Sequence, residues 1–502
     1  MTRDAVDLVL VNPANRKRIY QGLGTTLTAV ENPVWAGLIA TFVRRKGFSV
    51  QIVDAEAENL APEEAAARVA ALNPRLVAVV VYGHQPSAST QNMTGASAVT
   101  TALKTLSPQT LVLMVGGHVA ALPARTLAEE RCDFVARDEG LHTCVDLLSA
   151  LGSAAPALAG VRGLVYRSDG RVVSNPAAPL VMRLDEEMPG IAWDLLPMSQ
   201  YRAHNWHSFG HLQRQPYAAV YTTLGCPYHC SFCCIQAPFK SGERMLGLKE
   251  STNSYRFWSP TRVVEEIDLL VQKYGVRNIK FADEMFVLNQ RHVLGICDLL
   301  IERGYDLNIW AYARVDTVKE GMLDKLKRAG FNWLALGIEA ANERVLTDVD
   351  KRYRVDEVYE TVRRIKAAGI NIIGNYIFGL PEDTAETMQD TLDLAIELNC
   401  EFANFYSAMA YPGSALYDQA LRAGWPLPER WSGYSQHAVD TLPLPTKHVS
   451  AGDVLRFRDH AFQQYFTHPA YLQMIREKFG ADTIAHISEM TSHRIARAHA
   501  TA

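Results

Sequence analysis

The stretch Gly225-Cys226-Pro227-Tyr228-His229-Cys230-Ser231-Phe232-Cys233 carries three cysteines at the spacing C-x3-C-x2-C. Three thiolates this close on one loop can hold three irons of a [4Fe–4S] cluster. No fourth cysteine stands at ligand spacing, so the fourth iron is left open. An open coordination position is what lets a metal site do chemistry rather than only hold a fold. Two plainer readings stay open on these residues alone. Zinc takes four ligands, and His229 or Cys234 offers a fourth, although adjacent Cys233 and Cys234 cannot both reach one ion without strain. A purely structural cluster is the other, but the ferredoxin-type run C-x2-C-x2-C followed by Cys-Pro is absent.

Working outward, Ala218–Thr222 reads as the strand that delivers this loop. Helical and strand patterns then alternate. Strands are expected at Asn278–Phe281, Leu307–Tyr312, Leu334–Ile338, Asn371–Phe378 and Phe402–Ala408, with helices such as Thr261–Tyr274 and His292–Arg303 between. Six β-α units with right-handed crossovers make a partial TIM-type barrel whose chemistry gathers at the C-terminal strand ends. Four features fall at such ends: the cysteine loop, Asp283-Glu284, Arg314 and Glu339. Each has an ordinary alternative, a surface turn for the carboxylates and a structural ion pair for Arg314.

Upstream, Val6–Val11, Val50–Val53, Leu76–Val81, Leu111–Val115 and Phe134-Val135 are short apolar runs. Helical patterns lie between them, which implies a doubly wound parallel sheet with its ligand beyond the strand C-termini. Asn32 is read as an N-cap, with Pro33 at the first helical position. At the ligand edge stand the polar segment Tyr82–Gln91, the turn Gly116-Gly117-His118 and Arg137-Asp138-Glu139-Gly140. A hairpin is expected around Ser168-Asp169-Gly170. His204, His207 and His211 are read as surface or interface residues, with no metal ligand among them. Two or three amphipathic helices are expected to cap the barrel or cover the substrate at the C-terminus.

The cysteine loop, with aromatic Phe232 before its last cysteine, resembles the signature of the radical S-adenosylmethionine (SAM) enzymes. The N-terminal pattern resembles the cobalamin-binding domain of that family's cobalamin-dependent group. The resemblance implies an α/β fold: a Rossmann-like cobalamin-binding domain over 1–150, a linker over 151–215, a partial (β/α)6 radical SAM barrel over 216–420 and a helical segment over 421–502. It implies three cofactors: a [4Fe–4S] cluster on Cys226, Cys230 and Cys233, SAM and cobalamin. SAM contacts carried over are Phe232, Asp283, Glu284, Arg314 and Glu339. Here Gly337-Ile338-Glu339-Ala340 stands where related sequences end in serine. Cobalamin contacts are Tyr82, Gly83, His84, Ser87, Gly116, Gly117, His118 and Glu139. The family's Asp-x-His-x-x-Gly loop is replaced by Asn12–Arg18, which has no histidine, so cobalt is not expected to be ligated from there.

The activity so implied is methyl transfer to an unactivated carbon, or to phosphorus, of a small molecule. In the family, one SAM methylates cob(I)alamin and a second yields the 5′-deoxyadenosyl radical that opens the substrate to methylcobalamin. Non-methylating relatives perform cyclisation, ring contraction or oxygen insertion. A protein of another class, a cobalamin sensor with a structural cluster, also fits the pattern. An electron donor such as flavodoxin or ferredoxin is expected as partner.

Composition narrows the field further. The 502 residues carry a formal charge of −4, which argues against holding nucleic acid by phosphate neutralisation. No apolar run reaches the ~18 residues of a membrane span, and Met1-Thr2-Arg3-Asp4 has no signal-peptide layout. Outside the loop, Cys132, Cys144, Cys297 and Cys400 are scattered, as reduced cytoplasmic thiols would be.

Overall fold

The computed structural model describes residues 6–24, 27–210 and 213–500, so His211 lies outside the described residues. The first sheet has β1 (Leu8–Asn12), β2 (Val50–Asp54), β3 (Leu76–Val80), β4 (Val112–Val115) and β5 (Phe134–Ala136). They run parallel in the order β2-β1-β3-β4-β5. Every residue of β3 and β4 is buried, which is why their sequences are unbroken apolar runs. The expected hairpin forms as β6 (Leu164–Ser168) and β7 (Arg171–Ser174) and continues this sheet antiparallel from β5. Asp169 and Gly170, at φ +50° and +73°, supply the two left-handed residues that such a tight turn needs.

The second large sheet contains β8 (Tyr217–Val220), β11 (Asn278–Phe281), β12 (Asn308–Arg314), β13 (Phe331–Glu339), β14 (Asn371–Phe378) and β15 (Phe402–Ser407). All pairs are parallel and the order follows the chain. β8 and β15 are the two edges, so the barrel is open between them. A short antiparallel pair, β9 (Thr223–Leu224) with β10 (Arg256–Phe257), holds the start of the cysteine loop.

Asn32 is not the expected cap. The helix is Val34–Arg45, and its N-cap makes no side-chain hydrogen bond. Asn32 instead lies fully buried against the β8 edge, where its Oδ1 accepts from Ala219 N (2.7 Å) and its Nδ2 donates to Ala219 O (3.0 Å). A buried sheet edge needs partners for both kinds of backbone group, and one amide side chain offers both.

Trp206 fills the barrel base, meeting Trp310, Trp333 and Phe402 with ring centroids 5.2, 5.4 and 5.9 Å away. His204 stacks on Trp206 and buried His207 faces Asn308 O (3.0 Å). Burial lowers them to about 4 and about 3, so both are neutral packing groups. Three C-terminal helices follow, Ala451–Phe466, Pro469–Phe479 and Ala481–Ser492. The first lies against β15, with Arg458 Nε donating to Phe405 O (2.8 Å). No helix among the described residues is long and apolar enough to cross a membrane.

Candidate active site

The cysteine loop is tied down by backbone contacts. Gly225 has φ +87°, and a Cβ there would stand 2.3 Å from Ser254 O. Gln236 Nε2 donates to Cys226 O (2.7 Å), Asn253 Nδ2 to Tyr228 O (2.6 Å) and Leu416 N to Ser231 O (2.8 Å). All three thiols are free, Cys226 buried and Cys230 and Cys233 half-buried. Burial pushes Cys226 up to about 12 and Cys233 well above the usual thiol range, so metal binding here releases protons. Among the described residues, no three His, Cys, Asp or Glu side chains converge to hold one ion. A four-iron cluster takes each thiolate on a different iron.

Asp283 and Glu284 follow β11. Asp283 Oδ1 accepts from Thr222 N (3.0 Å), Thr222 Oγ1 (2.8 Å) and Thr223 Oγ1 (2.6 Å), fixing the strand that feeds the cysteine loop. Its Oδ2, and the Oε2 of Glu284, are buried without a partner. Burial raises Asp283 to about 6 and Glu284 to about 8. The Glu284 charge helps push the Cys226 and Cys234 thiols up. Orphaned buried carboxylate oxygens are costly unless a donor arrives. They fit the amine of SAM.

Arg314 ends β12. Its Nε and Nη2 grip Asp316 (2.9 and 3.2 Å), and its Nη1 donates to Cys230 Sγ (3.5 Å). Its fork is paired with Asp316 in this structure. Glu339 ends β13 at φ +62°, a left-handed conformation at a register shift in the sheet. It pairs with buried Lys351, which also lies 6.0 Å from the Phe232 ring. A non-glycine residue held at such φ marks a functional position in many folds. Lys351 and Tyr353, whose hydroxyl donates to Gly337 O (3.1 Å), were not singled out in the sequence, which has no local pattern linking them to Glu339.

A cavity of about 530 Å³ lies between the first sheet and the barrel interior. Tyr82, Gly83, His84 and Ser87 line it from one side and Lys280, Trp310, Tyr312 and Tyr406 from the other. Glu31 bridges the halves, accepting from Lys280 Nζ (3.0 Å) and Tyr217 (2.8 Å) and pairing with His84 Nδ1 (3.2 Å). Burial alone would raise Glu31, but His84 and Lys280 hold it well below the carboxylate range. The other His84 nitrogen, Nε2, meets Asn32 O (2.6 Å).

The remaining expected cobalamin contacts lie away from this cavity. Gly116 packs on Val81, whose carbonyl a Cβ would approach to 2.3 Å, while Gly117 opens the helix Gly117–Ala121. His118 is buried against Thr90 (3.1 Å) and edge-on to Trp431 (4.4 Å). Glu139 is committed to a buried ion pair with Arg256 (2.6 Å) and to Val181 N (3.1 Å).

Two family models match the chain, the B12 binding domain over residues 20–148 and the Radical SAM superfamily over residues 220–395. An uncharacterized methyltransferase of Pyrococcus horikoshii is 30% identical over 466 residues, which cover 93% of each chain. This chain belongs to the cobalamin-dependent radical SAM enzymes. The anaerobic magnesium-protoporphyrin IX monomethyl ester cyclase of Rubrivivax gelatinosus is 26% identical over 80% of this chain and 68% of its own. The solved structure of the cobalamin-dependent SAM radical enzyme OxsB, with aqua-cobalamin and SAM bound, shares the fold. Its TM-score is 0.69 at 14% identity, over 97% of this chain and 71% of that one. As a cobalamin-dependent radical SAM enzyme, the protein uses a [4Fe–4S] cluster, SAM and cobalamin. The zinc, structural-cluster and sensor readings are thereby set aside.

Proposed function

We propose that this enzyme transfers a methyl group to an unactivated carbon, or to phosphorus, of a small molecule held between its two halves. The observation that carries the proposal is the shared cavity, whose walls come from both the cobalamin-binding sheet and the barrel. Methyl donor and hydrogen-abstracting radical must reach one substrate, and a chamber open to both halves allows it. When bound, the cofactors supply reductive cleavage of SAM to a 5′-deoxyadenosyl radical and a corrin that carries the methyl group.

In this reading Cys226, Cys230 and Cys233 hold the cluster. Glu284, its Oε2 unpartnered, receives the SAM amine as a charge-assisted hydrogen bond. Asp283 positions the strand that delivers the loop, and Glu339, held by Lys351, takes the ribose hydroxyls. Tyr82, Gly83, His84 and Ser87 face the corrin. The aromatic walls Trp310, Tyr312 and Tyr406 exclude water from the radical. The electron comes from a low-potential donor of the flavodoxin or ferredoxin class. The methyltransferase name of the Pyrococcus horikoshii relative supports this reading.

The cyclase relative supports a second reading, radical chemistry without methylation. Product counting separates them. Methylation yields S-adenosylhomocysteine and 5′-deoxyadenosine together, while cyclisation yields 5′-deoxyadenosine alone. Turnover with no S-adenosylhomocysteine would overturn the methyltransferase proposal.

A further inference from the structure

Arg314 is held in place on three sides. Its Nε and Nη2 form a two-pronged pair with Asp316 at 2.9 and 3.2 Å. Its guanidinium carbon stands 3.9 Å over the ring of Tyr228, inside the cysteine loop. Its own backbone N–H donates to Thr317 Oγ1 (3.1 Å). The residue is 4% exposed, so little water competes for its protons. With the fork taken by the carboxylate and the face taken by the ring, Nη1 is left directed at Cys230 Sγ, 3.5 Å away.

We propose that Arg314 is a positioning residue that tunes the cluster's reduction potential, by donating a hydrogen bond from Nη1 to the sulfur of Cys230. The inference rests on Cys230 being a cluster ligand, which iron content reports separately. Hydrogen bonds to cluster sulfurs and nearby charge are among the levers that set such potentials. A guanidinium donor withdraws electron density from the thiolate and favours the more negative, reduced cluster, so it raises the potential. The equilibrium concerned is one-electron reduction of the cluster by the external low-potential donor. Asp316 fixes the direction of the donor and offsets part of its charge, and Tyr228 fixes its plane. Lysine does not substitute, because an ammonium has no planar fork with which to hold carboxylate and sulfur at once. A merely structural ion pair would need Asp316 but not the sulfur.

Two measurements test this. Enzyme produced with ¹⁵N-arginine, loaded with iron and sulfide and reduced, is examined by pulsed electron paramagnetic resonance. A ¹⁵N coupling to the cluster spin is expected; an intact reduced cluster without it overturns the proposal, with no variant needed. In Arg314→Lys carrying a full complement of iron, the midpoint moves to more negative potential. The reduced-to-oxidised ratio at fixed potential falls about tenfold, which is 59 mV for a one-electron couple. Full iron with an unchanged midpoint overturns the proposal. Should Arg314→Lys fail to hold iron, the ¹⁵N coupling in the unaltered enzyme decides.

Discussion

The side-chain amide of Asn32 takes the place of a neighbouring strand on Ala219, with Oδ1 at 2.7 Å from its N and Nδ2 at 3.0 Å from its O. Ala219 lies on β8, the barrel edge that delivers the cysteine loop, and Asn32 belongs to the first domain, two residues before its helix Val34–Arg45. The same residue's carbonyl meets His84, which lines the shared cavity. One residue thus fixes how the cavity-lining loop of the first domain stands against the barrel edge.

Replacing it with leucine strands a buried N–H and a buried C=O on Ala219. Each unpaired buried group costs about 1–3 kcal/mol. Asn32→Leu is expected to lose roughly 2–6 kcal/mol of stability in denaturant unfolding. An unchanged midpoint would show that the edge is satisfied some other way.

The cysteine assignment gives a direct count. Reconstituted without oxygen, the protein should hold about four irons per chain, and the variant with alanine at Cys226, Cys230 and Cys233 none. A full cluster in that variant contradicts the assignment.

Glu284 gives a pH dependence. Its folded value of about 8 lies above its ordinary 4.5, raised first by burial and then by the Asp283 charge. The folded, ligand-free chain therefore keeps a proton that the unfolded chain gives up. Its contribution to stability is complete below 4.5 and is lost as pH rises through about 8. Asp283, at about 6 against 3.8, steepens the lower part of that window. Glu284→Gln should flatten the fall and weaken SAM binding roughly 10- to 100-fold, the worth of a hydrogen bond to a charged group. Thermal unfolding across the window, and calorimetric titration with SAM, check the two halves.

His84 Nε2 meets Asn32 O at 2.6 Å and its Nδ1 stands 3.2 Å from the Glu31 carboxylate. Electron paramagnetic resonance of the cob(II)alamin form should show no nitrogen splitting from a lower ligand, and His84→Ala should leave that spectrum unchanged. Splitting that vanishes in the variant would place His84 on cobalt.

The C-terminal tail lines the cavity through His493, Arg494 and Ile495. It is strapped there by Arg497, which meets both oxygens of Asp459 at 2.9 Å, and by Ala498 N to Val439 O (2.7 Å). Asp459→Asn should weaken the strap and speed hydrogen exchange at Ala498 while leaving the barrel strands protected. Equal exchange in both proteins would show that the fork does not hold the tail.

Features written in local runs were legible in the sequence. The apolar strands β3 and β14, the Asp169-Gly170 turn and the cysteine spacing needed no partner elsewhere to be read. What failed was tertiary. Asn32 carried a cap signal, but a buried strand edge 187 residues away claimed its amide. Glu139 stands at the expected sheet edge, but its pairing with Arg256, 117 residues on, has no mark in the local sequence. Arg314 stands at the expected strand end, and its fork pairs with Asp316, two residues away. Lys351 and the tail strap have no sequence mark at all, because their partners are set only by folding.

The central claim is that both halves serve one methyl-transfer chamber. The most direct measurement gives the loaded, reduced enzyme SAM bearing a deuterated methyl group, then extracts the corrin for mass spectrometry and measures 5′-deoxyadenosine alongside. The account predicts the labelled methyl on the corrin, S-adenosylhomocysteine in matching amount, and 5′-deoxyadenosine that disappears when the three cysteines are replaced. Cysteine-dependent 5′-deoxyadenosine with an unlabelled corrin and no S-adenosylhomocysteine would contradict it.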